Sequence, residues 1–219
     1  MRTRVKICGI TRIEDAQAAA HAGADAVGVN FWPGTPRRVD LAHARAIVES
    51  LPPFVARVGL FVDPSQDEVR AALAAVPLDA LQFHGRETAG FCRAFGKPYL
   101  KAIAVSEGAD LLECASPFDD AAGLLFDAFQ PGDLPGGTGQ VFDWSRLSAR
   151  IKARLRPPLV LSGGLDPDNV ARAIRMVQPY AVDVSSGVEA RDADGRVRRG
   201  YKDAARIAAF MQGVRSADA

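Results

Sequence analysis

Cysteine and histidine are scarce in this chain, which has three residues of each type among 219. An odd, widely spaced set of cysteines does not support a disulfide framework and is typical of a reducing compartment. No pair of these residues has the short spacing of a C-x-x-C or H-x-x-x-H metal motif. The sequence therefore predicts neither a disulfide-stabilised fold nor a resident metal ion.

The chain also lacks a strong charge bias and a long apolar run. Its formal net charge is +1, so the overall charge does not favour nucleic acid or membrane as a partner, and a small molecule is expected. The first residues contain no apolar signal region, and no stretch approaches the roughly 18 apolar residues of a membrane span. These absences predict a cytoplasmic protein.

The sequence instead contains a regular alternation of strand-like and helix-like segments. The short β-rich runs lie near residues 4–8, 26–31, 55–61, 79–83, 99–103, 123–127, 158–162 and 180–184. Eight βα units in this length average about 27 residues each, close to a minimal repeat with its crossover. The pattern predicts a single-domain (β/α)8 TIM barrel with parallel strands over 1–219 and a frayed tail at 216–219. A flavodoxin-like sheet is the alternative, but it would leave about three strands unused.

The starts of the helix-like segments carry capping signals. Thr11 with Glu14 matches a capping box, which predicts a helix beginning just after the first strand. Asp166 followed by Pro167 predicts another helix, over 167–177.

Two side chains suited to acid–base chemistry end predicted strands. Cys8 lies in residues 6–11 (KICGIT), where a glycine turn leaves a thiol accessible to a ligand. A free thiol has a pKa near about 8.5, so a base at neutral pH needs its thiolate stabilised. The alternative is a small buried hydrophobe. Asp127 ends the apolar run 123–126, and apolar surroundings favour the protonated carboxyl that a general acid needs. The alternative is a helix cap or a loop anchor.

Glycine-bearing turns follow the last two predicted strands. One carries Gly163 and Gly164, and the other consists of Ser185, Ser186 and Gly187. Glycine lets backbone N–H groups approach an anion, and (β/α)8 barrels frequently bind phosphate after strands seven and eight. Together the turns predict a phosphate site.

Other polar residues are candidates for supporting roles. Arg37, in a proline-rich loop after the second strand, is suited to bidentate binding of a substrate carboxylate, whereas Arg38 is expected to be solvated. His84 is either a base or a hydrogen-bonded structural residue. Lys6 and Asp183, on the first and last strands, are expected to face inward as a buried ion pair. That pair either favours the nearby thiolate or only fixes barrel closure.

One connection is unusually long. Residues 128–141, which include the stretch PGGTG at 135–139, predict a lid or binding loop.

Taken together, these motifs resemble the phosphoribosylanthranilate isomerase family of tryptophan biosynthesis. They extend over nearly the whole chain, at residues 6–11, 23–26, 82–85, 136–139, 142–144, 162–165, 182–189 and 200–203. The resemblance implies Cys8 as general base, Asp127 as general acid and Arg37 as the contact to the anthranilate carboxylate. It implies an Amadori rearrangement of a phosphosugar with no metal or organic cofactor, by a monomer or a homodimer.

Two departures and two alternatives accompany the resemblance. Residues 190–199 are longer and more charged than the family link, which predicts a surface insertion. Arg38 occupies a place often held by an apolar residue, so the contacting arginine stays open between Arg37 and Arg38. A broader isomerase that also accepts a histidine-pathway aminoaldose would need a second phosphate site, whereas the sequence shows only one. A non-catalytic phosphometabolite sensor would need neither Cys8 nor Asp127.

Overall fold

The computed structural model describes residues 2–128 and 141–219, and eight of its strands form a closed parallel barrel. Each strand pairs with the next in sequence order, and the first is hydrogen-bonded to the eighth. The prediction of a (β/α)8 barrel is confirmed. The barrel strands are β1 (Arg4–Cys8), β2 (Ala26–Asn30), β3 (Ala56–Phe61), β4 (Ala80–Phe83), β5 (Tyr99–Val105), β6 (Gly123–Ala128), β7 (Leu159–Leu161) and β8 (Ala181–Val184).

Helices surround the barrel, and most of the apolar core lies between their inner faces and the strands. A small separate cluster of Leu125, Val160 and Ala181 fills the barrel interior. The helices are α1 (Ile13–Ala22), α2 (Leu41–Glu49), α3 (Gln66–Ala75), α4 (Ala89–Arg93), α5 (Leu111–Ala115), α6 (Ala149–Lys152), α7 (Val170–Val177) and α8 (Ala204–Asp218). No helix in the described part of the chain is long and apolar enough to cross a membrane.

The helix starts differ from the sequence prediction at two places. The N-cap of α1 is Arg12 without a side-chain cap, because the Thr11 hydroxyl donates to the carbonyl of Gly200 instead. The predicted capping box at Thr11 is therefore wrong. Helix α7 begins three residues later than predicted, because Asp166 accepts hydrogen bonds from two backbone N–H groups and closes a turn of its own.

The insertion at 190–199 belongs to a β-hairpin. Strands β9 (Glu189–Arg191) and β10 (Val197–Lys202) pair antiparallel directly after β8. The residues between them are exposed, as predicted for a surface insertion, but both ends of the hairpin are buried: Glu189 is 0% exposed and Lys202 is 3% exposed. The hairpin is therefore anchored in the protein at its base.

Most of the segment 216–219, which the sequence predicts to be frayed, is helical in the structure. Helix α8 continues to Asp218, whose carboxylate accepts hydrogen bonds from the backbone N–H and hydroxyl of Thr3 at 2.8 and 2.7 Å. The last helix is thus tied to the chain just before β1.

Candidate active site

The carboxyl ends of four consecutive barrel strands carry the residues with catalytic potential. Cys8 ends β1, the serine turn at 185–187 follows β8, the glycine turn at 163–164 follows β7, and Asp127 lies near the end of β6. Because β6, β7, β8 and β1 are neighbours in the closed barrel, both turns lie between the strand ends that bear the carboxyl and the thiol.

Cys8 packs against a strand that has no side chain at the point of contact. It pairs in register with Gly28 on β2, and a Cβ at Gly28 would lie 2.9 Å from the Cys8 sulfur. The same Cβ would lie 3.2 Å from Cε of Lys6. Glycine at position 28 therefore makes the space in which thiol and ammonium meet.

The groups around Cys8 shift the pKa of its thiol in opposite directions. Burial raises the pKa of the Cys8 thiol and the Asp183 carboxylate raises it further, whereas the charges of Lys6 and Lys202 and a hydrogen bond from Lys6 lower it. The net result is a raised pKa, so these surroundings favour the thiol over the thiolate at neutral pH.

The predicted ion pair between Lys6 and Asp183 is present in the barrel interior. These residues are register partners on β1 and β8, and Lys6 Nζ lies 2.7 Å from Asp183 Oδ1 with both side chains almost fully buried. Burial alone would lower the pKa of Lys6, but Asp183 and Cys8 outweigh it and the net pKa is raised. Lys6 is therefore a cation held beside the Cys8 sulfur.

Asp127 contacts both a neighbouring turn and a histidine. Its Oδ1 accepts a hydrogen bond from the N–H of Ala128 at 2.8 Å, and its Oδ2 lies 3.3 Å from Nε2 of His84. A Cβ at Gly163 would lie 3.0 Å from Asp127 Oδ1. Asp127 is 7% exposed, so its carboxyl group is mostly buried but still accessible from the open end of the barrel.

His84 has a fixed environment on its other edge. Its Nδ1 lies 3.1 Å from the amide nitrogen of Gln82, which is fully buried on β4. When the amide donates to Nδ1, the ring proton is on Nε2 and points toward Asp127. This arrangement favours the structural interpretation of His84, as a residue that holds the carboxyl, over its interpretation as a base.

The two predicted phosphate turns are in contact. A Cβ at Gly187 would lie 1.9 Å from the carbonyl oxygen of Leu165, which follows the first turn. Gly163 has φ +81°, a conformation that favours glycine. Residues 186–188 form a short 3-10 helix. Two glycine-bearing turns this close leave room for an anion to approach the backbone of both.

Arg37 is buried, and its bidentate fork contacts a carboxylate of the protein itself. Its Nε and Nη2 donate to the two carboxylate oxygens of Glu189 at 2.7 and 2.8 Å. The Arg37 stem passes over Gly9, where a Cβ would lie 2.6 Å from Arg37 Cδ. The arginine is therefore held against the backbone that follows Cys8.

Glu189 also contacts the base of the hairpin. Its Oε1 accepts from the N–H of Gly200 at 2.9 Å and lies 3.4 Å from Lys202 Nζ. Burial would raise the pKa of Glu189, but Arg37, Lys202 and the Gly200 N–H lower it. Lys202 Nζ in turn contacts the carbonyl and hydroxyl oxygens of Ser185 at 2.9 and 3.3 Å.

A cleft of about 950 Å³ opens beside Asp127. Its walls include His84, Arg38 and the aromatic residues Phe31, Trp32 and Phe61, of which Phe31 and Phe61 stack at 5.1 Å between ring centroids. A planar aromatic group fits such a wall. The cleft has room for a substrate with an aromatic ring.

One predicted loop lies outside the described residues, and the described residues contain no metal-binding group. The loop predicted as a lid at 128–141, with its motif at 135–139, falls almost wholly on residues 129–140, which are not described. Among residues 2–128 and 141–219, no three His, Cys, Asp or Glu side chains are grouped so as to hold a metal ion.

Three residues of the site were not predicted from the sequence: Gly28, Glu189 and Lys202. The available signals were a glycine between the two valines of β2, which indicates a close approach, and an acidic and a basic residue flanking the insertion. Nothing local to either charge identifies its partner, because Glu189 is 152 residues from Arg37.

Comparisons with known proteins give the relatives of this chain. A family model described as N-(5′phosphoribosyl)anthranilate (PRA) isomerase matches residues 5–213. The chain is 54% identical over 213 residues to N-(5′-phosphoribosyl)anthranilate isomerase of Pseudomonas aeruginosa (strain UCBPP-PA14), covering 97% of this chain and 95% of the relative.

Solved structures are similar over the same length. A phosphoribosyl anthranilate isomerase in complex with reduced 1-(o-carboxyphenylamino)-1-deoxyribulose 5-phosphate is 40% identical, with a TM-score of 0.83 and coverage of 98% and 99% of the two chains. Monomers generated from the dimeric Thermotoga maritima isomerase are 38% identical, with the same TM-score and coverage.

Proposed function

The chain belongs to the N-(5′-phosphoribosyl)anthranilate isomerase family, and we propose that Cys8 and Asp127 carry its reaction as general base and general acid. The reaction is the Amadori rearrangement of N-(5-phosphoribosyl)anthranilate to 1-(2-carboxyphenylamino)-1-deoxyribulose 5-phosphate, a step of tryptophan biosynthesis. It moves protons within one substrate, so it needs one group that donates a proton and one that removes a proton.

The two proposed residues divide these transfers. Asp127 in its protonated form donates to the ribose ring oxygen, the C1–O bond breaks, and the nitrogen lone pair forms an iminium. The Cys8 thiolate then removes the proton from C2 of the ribose, which gives an enolamine that tautomerises to the ketone. Each turnover leaves Asp127 ionised and Cys8 protonated, and exchange with solvent resets both groups.

The position of the phosphate turns is the observation that carries this assignment. Both turns lie between the strand ends that bear Cys8 and Asp127. A substrate held there by its 5′-phosphate would present its ribose carbons to the thiol on one side and the carboxyl on the other. Anchoring of this kind converts binding energy at the remote phosphate into orientation of the reacting atoms.

The substrate carboxylate requires a cation near the aromatic end. We assign this contact to Arg37, because its side-chain stem lies against Gly9, the residue after Cys8, and we place the anthranilate ring against the aromatic wall of the cleft. Arg38 lines the same cleft, so it adds positive charge at the mouth. His84 supports Asp127 through the 3.3 Å contact.

The proposal is tested with purified protein and freshly prepared phosphoribosylanthranilate, without added metal, by following the loss of anthranilate fluorescence. Product formation by the wild type and its loss in Asp127→Asn would support the reaction and the acid role together. Equal rates in both proteins would leave the reaction in place and overturn the acid assignment.

Replacement of Lys6 by methionine is expected to shift the pH dependence of the thiol. Lys6 lowers the pKa of Cys8, so its removal raises that pKa further. A base acts only when deprotonated, so the rising limb of kcat/KM moves to higher pH and activity at neutral pH falls. The measurement is the pH dependence of Cys8 alkylation, read by peptide mass spectrometry, beside the kinetic profile.

A second variant separates the electrostatic effect from a structural one. Lys6→Met/Asp183→Asn removes a cation that lowers the thiol pKa and an anion that raises it, so its titration is expected to return part of the way to the wild type. If the titration of Cys8 is unchanged in Lys6→Met, the Lys6–Asp183 pair has only the structural role of closing the barrel.

Replacement of Gly187 by alanine is expected to raise KM far more than it lowers kcat. The added Cβ would lie 1.9 Å from the Leu165 carbonyl oxygen and forces the phosphate turns apart. Hydrogen bonds to charged groups contribute about 1.5–3 kcal/mol, so KM is expected to rise about 10- to 100-fold. Inorganic phosphate should inhibit the variant correspondingly less. Gly90→Ala, whose nearest contact is at 4.0 Å, is the matched control, and an unchanged KM in Gly187→Ala would contradict the phosphate assignment.

We further propose a cytoplasmic enzyme that acts on a free phosphosugar, without nucleic acid or membrane as a partner, as a monomer or a homodimer. The near-neutral net charge supports this proposal. Sedimentation of the purified protein over a range of concentrations distinguishes the two oligomeric states.

A further inference from the structure

The base of the β9–β10 hairpin contains a buried charge cluster that takes no part in the proton transfers. Its members are Arg37, Glu189 and Lys202, which come from the loop after β2 and from the two hairpin strands. Glu189 is 0% exposed and receives hydrogen bonds from four donors, of which two belong to Arg37. A buried carboxylate with this many donors has one stable orientation, and so do the groups that bind it.

Glu189 binds the guanidinium of Arg37 through both of its carboxylate oxygens. Arginine is a long side chain with large rotational freedom, and here it starts from a loop rather than from a strand. The bidentate contact with Glu189 fixes the plane of the guanidinium, and the stem is confined over Gly9. A substrate carboxylate bound to Arg37 therefore meets a preorganised cation at a set distance from Cys8.

Lys202 connects the same cluster to the phosphate site. Its Nζ contacts Glu189 on one side and both oxygens of Ser185 on the other. Burial lowers the pKa of Lys202 to about 8. Through this side chain the contact to the carboxylate end of the substrate and the contact to its phosphate end share one rigid support.

We infer that Glu189 and Lys202 are positioning residues for substrate choice. Glu189 determines the preference for an aromatic amine that carries an ortho carboxylate, and Lys202 fixes the position of the phosphate turn at Ser185. The inference rests on the proposed contact between Arg37 and the substrate carboxylate. If the cluster only stabilised the fold, a substitution in it would lower kcat/KM equally for all substrates. If the cluster positions Arg37, the substitution lowers kcat/KM only for substrates that carry the carboxylate.

The test compares two substrates, phosphoribosylanthranilate and N-(5-phosphoribosyl)aniline, which lacks the carboxylate. The quantity measured is the ratio of their kcat/KM values in the wild type, Arg37→Gln, Glu189→Gln and Lys202→Met. Glu189→Gln keeps the shape of the side chain and an acceptor for Gly200, but it loses the charge that binds Arg37. We expect this ratio to fall at least 10-fold in Glu189→Gln, through KM of the carboxylated substrate, with little change for the aniline substrate.

The remaining variants separate the possible failures. Loss of preference in Arg37→Gln but not in Glu189→Gln would overturn this inference and leave the Arg37 contact intact. Retained preference in Arg37→Gln would overturn that contact and the inference with it. An equal loss on both substrates in Glu189→Gln would show a purely structural role and overturn the inference as well.

Lys202→Met tests the phosphate half separately. It keeps the Arg37–Glu189 fork, so the substrate ratio should persist while inhibition by inorganic phosphate weakens; unchanged inhibition would overturn the role of Lys202. If Glu189→Gln does not fold, as judged by circular dichroism, Glu189→Gln/Lys202→Met carries the substrate test. That double variant loses one charge of each sign, so the cluster keeps its net charge while Arg37 loses its carboxylate partner.

Discussion

Replacement of Cys8 by alanine is expected to lower kcat by about two to four orders of magnitude, the usual contribution of a general base. The thiol lies beside Lys6 at the end of β1, in the space left by Gly28. No other described side chain holds this place, so its loss leaves proton removal from C2 to water. KM should change little, because the phosphate turns and Arg37 are untouched. The measurement is steady-state turnover of phosphoribosylanthranilate over a range of pH.

The matched control for this variant is Cys114→Ala, because Cys114 is an exposed free cysteine. It should retain full activity. The raised pKa of Cys8 adds a condition on the wild type: alkylation of this thiol should require a higher pH than alkylation of an ordinary cysteine, since a smaller share of it is ionised at neutral pH. Turnover close to the wild-type value in Cys8→Ala would exclude the thiol as the base.

Replacement of Asp127 by asparagine is expected to cost about two to four orders of magnitude in kcat as well, because an amide cannot donate the proton that opens the ring. The substitution is nearly isosteric. Its side-chain oxygen can still accept from the Ala128 N–H, and its bulk against Gly163 is unchanged. The loss should therefore appear in kcat without loss of fold, measured by turnover together with thermal unfolding.

Asp110→Asn provides the control for a carboxylate outside the site. Asp110 caps helix α5, where its Oδ1 accepts two backbone hydrogen bonds. Asparagine caps a helix about as well as aspartate, so this variant should keep the turnover and the stability of the wild type. If Asp127→Asn and Cys8→Ala are combined, the loss should be smaller than the product of the single losses, because residues that serve one reaction path are not additive. A kcat near the wild-type value in Asp127→Asn would assign ring opening to another group.

The strands and the ends of the strands could be predicted from the sequence. Parallel barrel strands are buried on both faces, so they are continuous apolar runs, and a polar residue at their end stands out. Asp127 and Cys8 were selected as candidates in this way, and their roles are proposals. The pairing of Lys6 with Asp183 followed from alternation along two strands that barrel closure makes neighbours.

Contacts that depend on long-range packing could not be predicted from the sequence. Thr11 has the spacing of a capping residue, yet its hydroxyl donates a hydrogen bond to a carbonyl of the hairpin, 189 residues away. Arg37 was predicted to bind a substrate carboxylate, and a buried carboxylate of the protein itself binds the guanidinium. In both cases a local signal gives the chemistry of the side chain, but the partner is set by the tertiary fold.

Barrel closure has a consequence for the time at which the site first exists. The strand with Cys8 is near the start of the chain, whereas Asp183, which binds the ammonium beside it, is separated from Lys6 by 177 residues in sequence. Contacts this distant in sequence form late, because the intervening chain must be ordered first. A chain whose last barrel strand has not yet been synthesised therefore lacks the carboxylate that binds Lys6. The surroundings of Cys8 are complete only when the first and last strands of the barrel have paired.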